Sequence, residues 1–191
     1  KKKYELFKGI LNISYLLVFS STIAALIVYF LILFFIKDNL NTNYLDVFVI
    51  GSIGIIFISF ININKSLLFA LNRSPEGMFS ELILRPFLII IFLAAIYFQN
   101  IILSTNYAIG ITTLSYFFAM LLSFVLVNIF KPNINSINPK YKYSEWKKIT
   151  LPFILVSFGE IFLSRADIII LGFLRLPFEV GIFAIATLIV S

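Results

Sequence analysis

Five ionisable residues stand inside long apolar runs of this chain: Glu81 and Arg85 in GMFSELILRPFLIII, and Glu160, Arg165 and Asp167 in the run beyond Ile149. On insertion scales an ionised residue at the centre of a membrane helix is unfavourable by about 2.5–3.5 kcal/mol, so such residues turn towards a partner, a water-filled cavity or a task. A guanidinium offers planar two-point hydrogen bonding to phosphate oxygens, which makes Arg85 and Arg165 the candidate anion-binding residues. A buried carboxylate has a raised proton affinity, which makes Glu81, Glu160 and Asp167 candidates for holding a coupling proton or sodium ion, or for lining a cavity.

Spacing sorts these residues further. Glu81 and Arg85 are four apart with the acid N-terminal, the favourable order for an ion pair along one helix face. Such a pair would let the helix insert without any role in substrate handling, and both readings stay open. If a helix begins near Ile149, a rise of about 1.5 Å per residue puts Glu160 roughly 17 Å in, near mid-bilayer, with Arg165 and Asp167 further out. At 100° per residue Glu160 and Asp167 share nearly one face, and Arg165 lies about 140° from Glu160, poorly placed to pair with it. Pairing of Arg165 and Asp167 with neighbouring helices is the alternative to a transport role.

The elements that must hold these residues are membrane helices. With 61% hydrophobic and 13% charged residues and a mean hydropathy of +1.04, the chain has too little polar surface for a water-soluble domain. It contains no Cys and no His, which removes disulfides, thiol chemistry, His-held haem and the usual zinc ligand sets. Uncharged or nearly uncharged runs predict spans near residues 10–36, 47–71, 77–98 and 107–130, then a polar, basic and aromatic segment at 131–148. A fifth span is expected near 149–174, and a truncated sixth from about 179. The opening Lys1-Lys2-Lys3 without Met, and a final apolar run too short to cross a bilayer, suggest part of a longer protein. Small residues are expected to bring helices close at Ser20, Ser21, Ala24 and Ala25 and at Ala119 and Ser123, while Gly51 and Gly54 suit either close packing or bending. If the spans alternate, Lys1, Lys2, Lys3, Lys8, Lys65, Arg73, Lys131, Lys140, Lys142, Lys147 and Lys148 fall on one side, which the positive-inside rule makes cytoplasmic. The formal charge of +6 then reports topology, with no nucleic-acid module in view. Tyr141, Tyr143 and Trp146 beside the lysines suit the headgroup layer, as a linker between bundles or as a binding element.

The pattern Trp146, Leu151-Pro152, Ser164-Arg165-Ala166-Asp167, Leu171-Gly172 and Val180-Gly181-Ile182 resembles the start of the second helix bundle in bacterial polysaccharide (lipid-linked oligosaccharide, O-antigen) flippases. Those belong to the exporter superfamily that also holds the multidrug and toxin extruders (MATE) and the lipid II flippases. Leu71-Asn72-Arg73-Ser74 followed by GMFSELILRPFLIII is similar to the fourth-to-fifth helix passage of the same family. The resemblance covers residues 71–86 and 146–185, with hydropathy alone matching elsewhere. It implies an all-α, MATE-like polytopic bundle. Residues 1–130 would be the later helices of the first bundle, 131–148 a cytoplasmic bridge and 149–191 the start of the second bundle. It further implies alternating access around a central cavity in the inner membrane, without catalysis, cofactor or metal. The implied cargo is a polyprenyl-diphosphate-linked oligosaccharide moved outward, with Arg85 and Arg165 as steps for the diphosphate at two depths. The competing functions are a multidrug extruder of the same fold, a membrane-embedded polymerase or acyltransferase, and a scaffold without transport.

Overall fold

A computed structural model describes residues 2–37, 42–100, 102, 104–134, 136–175 and 177–190, apart from the side chains at 2, 3, 36, 42–44, 164, 165, 169, 173, 177, 185 and 188–190. The described residues are helical with no strand, as the expected all-α class requires. In lipid, every backbone N–H and C=O must be satisfied within the segment, and uninterrupted helix achieves this. The elements are α1 (Lys2–Ile36), α2 (Thr42–Ala70), α3 (Ser74–Phe79), α4 (Arg85–Phe98), α5 (Thr105–Phe130), α6 (Tyr143–Leu174) and α7 (Pro177–Val190). Between α3 and α4 the helix continues without a break through a single π turn, Ser80–Leu84.

Among the described residues, four helices are long and apolar enough to cross a membrane: Tyr4–Phe35, Leu45–Ala70, Ser74–Phe98 and Thr105–Phe130. These correspond to the four expected spans of residues 1–130, but α1 starts some eight residues earlier than the apolar run. The difference is physical, since a helix need not stop where an apolar run does: α1 takes in Glu5 and Lys8 ahead of it. Likewise α6 begins at Tyr143, so Trp146, Lys147 and Lys148 belong to a 32-residue helix and not to a loop. Pro139 stands outside it, and Pro152 is accommodated in its interior.

The chain divides into two compact units, residues 1–140 and 141–191. In the first, α2 and α5 run parallel: Gly51 approaches Ile109, Gly54 approaches Thr113, and Asn64 bonds Ser123. Helix α1 runs antiparallel to α2, with Tyr15 at Asn64 and Tyr29 at Phe48. The α3 end of the third span returns along α2, with Gly77 at Phe69 and Glu81 at Lys65. The start of α1 and the ends of α2 and α5 therefore meet at one end of the unit. There Arg73 sits over the Phe130 ring, 4.7 Å from its centre, and the Lys140 N–H donates to the Glu5 carbonyl at 3.0 Å.

A stripe one helical turn apart on α5, Ile111, Ser115, Ala119, Ser123 and Val127, is buried. Small side chains in the middle of that stripe let the α2 and α5 backbones approach, which is how helices associate where lipid removes the hydrophobic drive between them. Ala119 and Ser123 thus pack as expected. The corresponding expectation for α1 fails, because Ser20, Ser21, Ala24 and Ala25 are all exposed. The two hydroxyls turn back onto their own helix, to the carbonyls of Leu17 and Val18 at 3.1 Å each. The reason is that α1 is gripped at its first half instead: Leu11, Tyr15 and Val18 close over the buried cluster of Ile63, Leu67, Leu68 and Val127. In the second unit α7 packs on α6.

Candidate functional site

Two local devices build the site. The first is the turn after α2. Asn72 takes a left-handed backbone, φ 58°, its N–H reaches the Phe69 carbonyl at 3.0 Å, and the Arg73 N–H reaches back to the Leu68 carbonyl at 2.8 Å. This is the reciprocal closure that ends a helix on a left-handed residue, and Asn tolerates that conformation better than most. Pro75 then stands in the first turn of α3, where its missing N–H is no loss.

The second device is Pro86. Its ring would clash with the carbonyl four residues back, and it cannot donate to that carbonyl. The helix absorbs this by widening immediately upstream, so that the Arg85 N–H bonds the Ser80 carbonyl five residues back. An extra residue in the turn rotates the next stretch of helix by a substantial part of the ~100° that one residue occupies.

Here the intrahelical Glu81–Arg85 pairing expected from spacing is replaced. The Glu81 carboxylate is held by Lys65 of α2, Nζ to Oε2 at 2.5 Å, in a half-buried ion pair. The Arg85 guanidinium lies over the Tyr116 ring of α5, 4.4 Å from its centre. Its Nε is buried without a hydrogen-bond partner, as is the Ser80 hydroxyl, which is 1% exposed. These are the two such side-chain atoms among the described residues, and they stand at the two ends of the π turn. Arg85 is the twelfth residue of the 25-residue span Ser74–Phe98, close to its middle. Among the described residues no carboxylate pairs with it.

Next to Lys65 on α2, a polar chain ties three helices. The Tyr15 hydroxyl donates to Asn64 Oδ1 at 2.5 Å, Asn64 Nδ2 donates to the Ser123 hydroxyl at 2.8 Å, and that hydroxyl donates to the Met120 carbonyl at 2.7 Å. Asn64 is fully buried and Ser123 nearly so. Lys65 is thereby fixed in rotation, so its ammonium is presented to Glu81.

No family model, curated protein or solved structure matches this chain. The functional reading therefore rests on the residues themselves.

In the second unit, Glu160 is exposed on α6 in a shallow, open concavity with Leu155, Val156, Gly159 and Leu163. Asp167 is also exposed, and its Oδ1 accepts from the Ile168 N–H at 2.8 Å. The Arg165 side chain lies outside the described residues. No group of three potential metal ligands exists among the described residues.

Sequence reasoning missed Lys65 and Tyr116 as members of this site. Lys65 reads as a topology signal, because it lies near the end of a span. Tyr116 reads as one aromatic among many. Only the packing of the third span against α2 and α5 brings them to Glu81 and Arg85.

Proposed function

We propose that this chain is part of a membrane transporter of the flippase type, which moves a polyprenyl-diphosphate-linked oligosaccharide from the cytoplasmic to the outer leaflet by alternating access. The observation that carries the reading is Arg85: a guanidinium at mid-span, resting on an aromatic face, with no carboxylate claiming it among the described residues while the acid four residues earlier is neutralised by Lys65. A cation left unneutralised at that depth is expensive unless an anion or water visits it. A diphosphate fits, since guanidinium binds phosphate oxygens in a planar fork. The gathering of Lys8, Lys65, Arg73, Lys131 and Lys140 at one end of the first unit agrees with a cytoplasmic placement of that end. In this reading Arg165 is a second, outer step, and Glu160 and Asp167 are the carboxylates available for a coupling proton or sodium ion.

The test is Arg85→Gln in the whole protein, in cells whose own transporter is deleted. Lipid-linked oligosaccharide is expected to build up in the inner leaflet and surface polysaccharide to fall at least tenfold, with Arg85→Lys in between. Undiminished export in Arg85→Gln would remove the proposal. One observation favours a second reading, a cation extruder: the exposed mid-helix Glu160. That reading predicts that Glu160→Gln abolishes efflux of a lipophilic cation while Arg85→Gln leaves it intact.

A further inference from the structure

We propose that Lys65 is a positioning residue whose task is to keep Glu81 away from Arg85, so that the guanidinium stays open to an anion. The inference rests on the reading of Arg85 as an anion-binding residue. In sequence, Glu81 is the natural partner of Arg85, four residues away in the favourable order. Were the two to pair, the carboxylate would occupy the same fork that a phosphate needs, and the site would be self-inhibited. Two features of the structure oppose that pairing together. Tyr116 draws the guanidinium towards α5. Lys65, sixteen residues upstream and on another helix, holds the Glu81 carboxylate directly.

Of the two, the ion pair is the part that acts on Glu81 itself. A carboxylate inside the membrane without a cation seeks one. Without Lys65 the nearest cation along its own helix is Arg85, four residues on. The Arg85 Nε is buried without a hydrogen-bond partner, so a released Glu81 carboxylate finds a donor there. Lys65 is itself kept in place by the buried amide of Asn64 next to it, which is bonded to both Tyr15 and Ser123.

The experiment uses the whole protein in lipid nanodiscs, with inorganic pyrophosphate as the probe and transport in cells as a second readout. Lys65→Gln is expected to weaken pyrophosphate binding about tenfold, and Lys65→Gln with Glu81→Gln to restore it to within about twofold of the parent. Glu81→Gln alone, which removes the competitor, binds at least as tightly as the parent. A purely structural ion pair predicts the reverse, with the double variant no better than Lys65→Gln. The proposal is overturned if Lys65→Gln binds like the parent, if the double variant does not recover, or if Glu81→Gln binds more weakly. Should Lys65→Gln fail to fold, the Glu81→Gln and double-variant measurements decide alone. Arg85→Gln separates the two levels: if it still binds pyrophosphate, the anion-binding reading falls and this inference falls with it. If it does not bind while Lys65→Gln binds normally, only the role of Lys65 is lost.

Discussion

Asn64→Ala tests whether the polar chain between α1, α2 and α5 holds the first unit together. Asn64 is fully buried and makes two side-chain hydrogen bonds, accepting from Tyr15 and donating to Ser123. Interhelical hydrogen bonds in membranes average about 0.6 kcal/mol and reach about 1.7, so the two bonds together contribute roughly 1–3 kcal/mol. Truncation also leaves the Tyr15 hydroxyl without its acceptor, a further penalty of about 1–3 kcal/mol where no water replaces it. Ser123 loses less, because its own proton already goes to the Met120 carbonyl. The expected destabilisation is therefore about 2–6 kcal/mol, most of it arising on the Tyr15 side. Asn64→Asp keeps the acceptor for Tyr15 and forfeits the donor to Ser123, while placing a carboxylate next to Lys65. Reversible unfolding in mixed micelles, followed by far-ultraviolet circular dichroism, measures these changes. Combining Asn64→Ala with Tyr15→Phe should cost clearly less than the sum of the two single changes, since both remove the same bond. Strict additivity, or a loss below about 0.5 kcal/mol for Asn64→Ala, would refute the chain as a structural tie.

Two further outcomes concern contacts around the site. A Cβ at Gly77 would stand 2.9 Å from the Phe69 ring and 3.2 Å from the Lys65 carbonyl. Gly77→Val is accordingly expected to lower stability by about 2 kcal/mol, within the usual range for overpacking, whereas Gly77→Ala is softened by the helix propensity it gains and by the partly exposed ring moving aside; micelle unfolding of both decides this. At Tyr116, Leu removes the platform under Arg85 and Phe retains it. A cation–π contact contributes about 0.5–2 kcal/mol, so Tyr116→Leu should change pyrophosphate affinity by roughly 2- to 30-fold and Tyr116→Phe by little, as read by titration calorimetry.

Much of the architecture was legible in the sequence. Long apolar runs cannot be satisfied in lipid except as helices, so the four spans of residues 1–130 could be placed from composition alone. Their ends were less legible. Lys8 and Trp146 lie inside helices because a helix continues past the hydrocarbon boundary that hydropathy detects. Pairings were legible only where a stripe of small residues announced them, as at Ala119 and Ser123, and not at Ser20 and Ala24, where the same composition faces outward.

The sequence by itself determined that ionisable side chains lie deep in apolar helices, and which types they are. Which of them meet was decided by tertiary structure alone. Spacing along one helix pairs Glu81 with Arg85. Packing of the third span against α2 instead supplies Lys65 to the acid, and its packing against α5 supplies Tyr116 to the base. A one-dimensional pattern records neighbours along a single helix, whereas these partners come from helices 16 and 31 residues away, brought near by close packing of small side chains.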